Sequence, residues 1–289
     1  MLDHQARSDA WGFQQNAETG KLIHGLLGWE KPIPESMSMY ASGRVSFRLA
    51  AKPADEARMW MLAGFAGGIQ PWWHHVGAYH EDRRAYKTAE PVMRWHERNE
   101  QYLVNRRPVA AVGVVWSQQN TDFYGRDDAA DLVETPYRGM VQALVRARIP
   151  YIPLHADHIE RDAGSLAVLA LPNFAAMSDG QCAAVRRFAE RGGALVATGA
   201  STLCDEWGDA RRDFALADLF GAHAAGLPEA RWASGAAHSY LRLEGAAGKR
   251  HPVLRGFEET DILPFGGMLA PMRVDPGAVV AATFIPPFP

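Results

Sequence analysis

In the second half of the chain, short apolar runs alternate with amphipathic stretches, a rhythm that predicts β-α-β units. Residues 109–116 (VAAVGVVW) are continuously apolar, the pattern of a strand buried on both faces of a parallel sheet. Tyr137, Met140, Val141, Leu144 and Val145 recur at helical spacing over residues 136–147. Residues 151–154 and 167–171 (AVLAL) read as strands, the second closed by Pro172 and Asn173. Ser178 is placed to cap a helix over residues 179–191, Gly192 and Gly193 stop it, and residues 194–198 (ALVAT) form the next strand. This order with short links predicts a doubly wound parallel sheet. Beyond Phe220 it gives way to short strand-like pieces at 239–243, 253–257 and 278–284.

The first part is patterned differently. Residues 21–28 (KLIHGLLG) suit a helix or a strand, and residues 32–40 (PIPESMSMY) a short strand or loop. Residues 51–68 predict a helix: Pro53 sits at its start, Asp55 and Glu56 complement the dipole in its first turn, and Gly67 with Gly68 ends it. Ala57, Trp60, Met61, Gly64 and Phe65 mark its buried face. Residues 69–76 (IQPWWHHV) follow as a strand. A long helix is expected over 88–105, with Val92, Trp95, His96, Tyr102 and Leu103 inward. The change of pattern near Arg106 and Pro108 divides the chain into domains 1–107 and 108–289.

Composition narrows the class. The 289 residues are 47% hydrophobic and 22% charged, as in a globular α/β protein. With 30 basic against 33 acidic side chains the net charge is −3, which argues against nucleic acid or a membrane surface as partner. Two cysteines, Cys182 and Cys204, exclude a disulfide framework and fit a reducing compartment. No apolar run approaches the ~18 residues of a membrane span, and the opening MLDHQARSDAW has no apolar signal region, so a cytoplasmic location is expected.

Candidate chemistry concentrates at Trp72, Trp73, His74 and His75. Indole faces stack on sugar rings and imidazoles hydrogen-bond to hydroxyls, so a carbohydrate is the expected partner, although strand alternation turns half of such a cluster toward a core. Glycosidic cleavage needs two carboxyls roughly 5–10 Å apart. Glu30 and Glu35 lie in WEKPIPES, with Glu35 the better placed, and Glu81 and Asp82 follow the histidines. His155 and His158 have the spacing of two metal ligands, but no third accompanies them, so neither metal nor cofactor is expected. There is no G-x-G-x-x-G, Walker or G-x-S-x-G pattern.

The run LAVLALPNFAAMSDGQCAAVRRFAERGGALVATGAST resembles the centre of the trimerisation domain of family 42 beta-galactosidases, whose fold is class I glutamine-amidotransferase-like, or flavodoxin-like. VAAVGVVWSQQNTDFYG resembles that domain's first strand and loop, and DILPFGGMLAPMRVDPGAVVAATFIPPFP its tail in related hydrolases. Upstream, RLAAKPADEARMWMLAGFAGGIQPWWHHVGAYHEDRRAYKTAEPVMRWHERNEQYL is similar to the last units of their (β/α)8 barrel. A closed barrel takes ~250 residues, so residues 1–107 correspond to an incomplete one.

The resemblance implies a glycoside hydrolase that self-associates, with a nucleophile near PIPESMSMY, where Glu35 is the carboxylate, and an acid/base on an earlier strand. It also implies a lost thiol, because Thr198 and Gly199 stand at the elbow where true amidotransferases carry a nucleophilic cysteine. The alternative is a non-catalytic oligomerisation or sugar-binding module. A flavodoxin-like ligand-binding protein, using the loop SQQNTDFYG, ranks third.

Overall fold

The computed structural model describes residues 12, 14–38, 40–41, 47–74, 82–104, 106–226, 239–246, 249–267 and 269–286, with residues 34–38, 40–41, 47–50, 71, 74 and 246 described by their backbone alone. By internal contacts they form two compact units, residues 1–114 with 144–166, and residues 115–143 with 167–289.

The first unit opens with helix α1 (Gln14–Leu27), then strand β1 (Ile33–Ser38), the antiparallel pair β2 (Tyr40–Ala41) and β3 (Phe47–Ala51), helix α2 (Ala54–Ala66), strand β4 (Ile69–His74) and helix α3 (Glu90–Leu103). Strands β1 and β4 pair in parallel from Ile33 opposite Ile69 to Ser38 opposite His74. Parallel neighbours need a crossover, and α2 supplies it. Its residues Ala57, Trp60, Met61, Gly64 and Phe65 are buried, the face expected from the sequence. Met61 is fully buried and clusters with Trp60, Phe65, Ile69, Ala89 and Val92, against which Trp73 and Met93 pack. Helix α1 lies so close to the end of α2 that a Cβ on Gly20 would come within 2.6 Å of the Gly67 carbonyl oxygen, and one on Gly67 within 2.4 Å of that of Ala17. Only glycine permits this approach.

The chain continues through β5 (Val112–Trp116), α4 (Thr135–Arg146), β6 (Tyr151–His155), the short α5 (Ile159–Asp162), β7 (Val168–Pro172), α6 (Asp179–Glu190) and β8 (Ala194–Thr198). These strands form a four-stranded sheet of order β6-β5-β7-β8. Strands β7 and β8 run parallel, and the order corresponds to 2-1-3-4 of a flavodoxin-like sheet. Ser178 caps α6 as expected, its hydroxyl accepting from Gln181 N–H while the Gln181 side chain accepts from Ser178 N–H. Short strands complete the second unit: β9 (Ala222–Ala224) with β14 (Met272–Val274), β10 (Ser239–Leu243) between β13 (Ile262–Phe265) and β15 (Ala282–Ile285), and β11 (Gly245–Ala246) with β12 (Lys249–Arg250).

Three expectations are corrected. Residues 253–257 are not a strand: His251 accepts from Val253 N–H through its ring and starts a single 3₁₀ turn at Pro252–Leu254. On α3 only Val92 is buried, while Trp95 and Tyr102 are exposed. Charged and polar residues fill most of the other positions of that helix, so its apolar stripe is too narrow to bury every aromatic. Val109 is 90% exposed, and the buried strand begins at Val112.

Truncating Met61 to Ala should cost about 2–5 kcal/mol in urea unfolding, and Ser178→Ala about 1 kcal/mol. A Met61→Ala protein as stable as the parent would show that the α2 face is not the core of the first unit.

Candidate functional site

A parallel β-α-β unit presents loops and strand ends at the carboxyl edge, where such folds carry their chemistry. In the first unit that edge is formed by Ser38 and His74, which are in register. Trp72 lies opposite Ser36, one register below Trp73 opposite Met37, and Glu35 lies opposite Pro71. Trp72 is 54% exposed, whereas Trp73 is partly buried against the cluster that contains Trp60, Met61 and Phe65. The two indoles therefore part company, as alternation along a strand requires. His74 is described by its backbone alone, as is Glu35, and His75 and Glu81 lie outside the described residues. Trp72 is thus the more exposed indole of the pair near this edge.

The nearby carboxylates divide by role. Asp82 accepts from Arg84 N–H at 3.2 Å, from Arg84 Nε at 2.8 Å and from Ala51 N–H at 3.3 Å. The Arg84 guanidinium holds its carboxyl well below the usual range, so it stays ionised and caps the 3₁₀ turn Arg83–Lys87. A carboxylate held so firmly is a structural anchor, not a proton donor. Glu30 stands before β1, at the opposite end of the strands from His74. Glu18, which the sequence did not single out, is 1% exposed, and one carboxylate oxygen accepts from Lys21 Nζ at 3.0 Å and from the Tyr151 hydroxyl.

In the second unit the ends of β7 and β8 are joined by side chains. Asn173 has φ 50° and is 2% exposed. Its Oδ1 accepts from Ala200 N–H at 2.7 Å, and its Nδ2 donates to the Leu132 carbonyl at 2.6 Å and the Tyr124 hydroxyl at 3.3 Å. Its own N–H donates to Thr198 Oγ1 at 3.0 Å. A Cβ on Gly199, at φ 59°, would sit 2.1 Å from Asn173 Oδ1. Asn120 reaches in from the loop after β5 and accepts from Ala176 N–H at 2.9 Å. The loop SQQNTDFYG, a possible ligand site by sequence, thus packs into the crevice itself. Burial raises the Tyr124 hydroxyl above its usual range and leaves it a neutral hydrogen-bonding group.

The cysteines take no part in this edge. Cys204 is 4% exposed, and its backbone pairs with Ala175 and Met177. Burial pushes its thiol up, and lifts that of Cys182 to about 11, which removes the thiolate a nucleophile requires. His155 and His158 do lie together, ring centres 5.3 Å apart, but His158 Nδ1 contacts the Gly25 carbonyl oxygen at 3.1 Å and His155 accepts from Asp157 N–H at 3.3 Å. Among the described residues no three His, Cys, Asp or Glu side chains gather to hold a metal ion, and no helix is long and apolar enough to cross a membrane.

A second titratable cluster was not legible in the sequence, because its members are 10 and 52 residues apart. His223 on β9 contacts Asp213 at 2.5 Å through Nδ1 and Asp275 at 3.1 Å through Nε2. Hydrogen bonding to Asp213 raises the imidazole above its ordinary value, with Asp275 adding to the effect, and the same contact lowers Asp213.

No protein-family model matches this sequence, and no curated protein does. Solved structures do match its fold. A beta-galactosidase from Bacillus circulans sp. alkalophilus superposes with a TM-score of 0.77 at 17% identity, over 97% of this chain and 42% of its own. A GH42 beta-galactosidase from G. stearothermophilus does so at 0.74 and 14% identity, over 94% and 40%. The alpha-L-fucosidase isoenzyme 2 from Paenibacillus thiaminolyticus reaches 0.69 at 16% identity, over 98% and 39%. The chain therefore shares the fold of these enzymes and spans about two fifths of their length.

The His223 cluster sets a pH response. Because its folded value is raised, its contribution is complete below the ordinary imidazole value of ~6.5 and is lost as pH rises through the raised one. Asp213 acts oppositely, its contribution disappearing as pH falls through its lowered value. The unfolding midpoint should drop as pH rises above the ordinary imidazole value of about 6.5, and His223→Gln should flatten that drop. Equal slopes for parent and variant would remove His223 from the response.

Proposed function

We propose that this chain is the C-terminal portion of a glycoside hydrolase of the beta-galactosidase type, with carbohydrate bound at the carboxyl edge of β1 and β4. The observation that carries the proposal is the parallel β1-β4 pair with its crossover helix α2, the repeating unit of a (β/α)8 barrel. The fold shared with beta-galactosidases and a fucosidase over 94–98% of the chain supports it. In this reading residues 1–107 are late barrel units and residues 108–289 the amidotransferase-like domain.

The chemistry follows from two carboxyls. One, protonated, donates to the glycosidic oxygen as the bond to the anomeric carbon breaks; the other attacks that carbon or activates water. We assign the second role to Glu35, on β1, although its register partner Pro71 sets it on the face of Trp73 and not on that of Trp72, and the first to a segment other than β1–β4. Trp72 forms a stacking wall for the sugar, and His74 and His75 donate to its hydroxyls.

A second reading, a non-catalytic module that self-associates as a trimer or another homo-oligomer, is favoured by one observation. The crevice at the ends of β7 and β8 carries Thr198 and Gly199 in place of a thiol and is occupied by Tyr124 and Asn120. Strand β8, at the edge of its sheet and with Val196 45% exposed, is the surface on which a second copy would pair.

Aryl β-galactoside, α-fucoside, β-glucoside and α-arabinoside substrates distinguish the two. We expect turnover on at least one, reduced about 10²–10⁴-fold by Glu35→Gln. Trp72→Ala should raise KM roughly three- to tenfold with kcat little changed. A folded protein that sediments as a discrete oligomer and turns over none of them would favour the module.

A further inference from the structure

The first unit contains a cleft that neither the fold nor the sugar site uses. It lies between the end of α2, the segment 106–109 and the segment 149–152, and encloses about 820 Å³ counting its open mouth. Lys21, Arg106 and Arg107 line it, and among the described residues no carboxylate does. Its remaining walls are largely apolar, with Trp29, Val145, Ile149 and Ile152 among them. It borders Trp29, ahead of β1, and Ala66, ahead of β4, so it stands at the opposite end of these strands from Ser38 and His74.

The charges of the cleft are unevenly matched. Lys21 is neutralised by Glu18, 3.0 Å away, and its Nζ sits 4.3 Å above the Tyr151 ring. Arg106 is partly buried and donates through Nη1 to the Phe65 carbonyl oxygen, but among the described residues it has no carboxylate partner. Burial lowers its pKa. Arg107, exposed beside it, likewise has no acidic partner among the described residues. Trp29 is held in place by stacking on His24, ring centres 4.3 Å apart and planes within 8°. Two guanidiniums with no carboxylate partner among the described residues thus share the cleft with a stacked indole and an aliphatic wall.

We propose that this cleft binds a small organic anion, its phosphate or carboxylate held by Arg106 and Arg107 and its apolar body lying against Trp29, Ile149 and Ile152. The two guanidiniums supply planar donor forks that match either group. Such a ligand replaces the missing counter-charge and covers apolar surface in one step, which neither inorganic phosphate nor a neutral aromatic does. Binding at this end of the strands leaves the carboxyl edge free, so the proposal stands independently of the sugar site.

Titration calorimetry with phenyl phosphate, benzoate, inorganic phosphate and phenol tests it on the full chain. Phenyl phosphate and benzoate should bind with dissociation constants of about 0.1–1 mM and raise the melting temperature, with phenol and inorganic phosphate at least about tenfold weaker. Raising salt from about 50 to about 500 mM should weaken the organic anions. Arg106→Gln should abolish binding. Because Arg106 also holds Phe65, two exposed positions provide the control: Arg107→Gln should weaken phenyl phosphate several-fold, and Ile149→Glu, which places a carboxylate in the wall, should abolish it. Phenol binding as tightly as phenyl phosphate, or phenyl phosphate affinity unchanged in folded Arg107→Gln and Ile149→Glu proteins, would overturn the proposal, as would inorganic phosphate binding equally well.

Discussion

Where parallel strands end, their backbone amides have lost the ladder and must find other acceptors before they can be buried. In the second unit, side chains supply them. Asn120 accepts from Ala176 N–H, Asn173 from Ala200 N–H, Thr198 from Asn173 N–H, and Ser201 from Phe174 N–H at 3.1 Å. Ser117 in turn accepts from Asn120 N–H at 3.0 Å. Each of these residues is an acceptor and a spacer at once, so removing one leaves a buried donor unmatched, at a cost of ~1–3 kcal/mol. The same residues occupy the crevice at the ends of β7 and β8, the place where flavodoxin-like sheets bind ligands.

The first unit is governed by a different constraint. A parallel pair with a crossover helix must bury one face against that helix, and α2 does so through Trp60, Met61 and Phe65. Trp73 joins this cluster, and its neighbour Trp72 necessarily points away from it. The exposed residue and the core-packed residue of one dipeptide are thus assigned by the pleat of β4. The close seat of α1 on Gly67 extends the same economy, since backbone meets backbone there without an intervening side chain.

Elements with strong local signals were legible in the sequence. The apolar period of α2, the Ser178–Gln181 capping box and the apolar strands β5 and β7 each carry their own determinant. The candidate site was suggested in the sequence by the density of Trp72, Trp73, His74 and His75, of which Trp72 and Trp73 are described with their side chains. The division between its two indoles follows from which face of β4 meets α2, a matter of packing between elements. Asn173 could have been suspected, since an Asn directly after a strand and proline suits a left-handed backbone, but its partners Leu132 and Ala200 lie 41 and 27 residues away. His223 has no local signal at all.

Residue order alone determined the class of the protein: an α/β chain of near-neutral charge, with β-α-β rhythm, a helix whose buried face is written at 3.6-residue spacing, and no thiol at the strand end where related folds place one. These properties are local, decided by side chains a few positions apart. The tertiary structure alone decided which groups meet: Trp72 more than half exposed while Trp73 packs against the α2 cluster, Glu18 with Tyr151, His223 between two aspartates, Arg106 with no carboxylate partner among the described residues. Contacts across tens of residues depend on how helices and strands pack, and packing is a property of the assembled chain that no window of sequence contains.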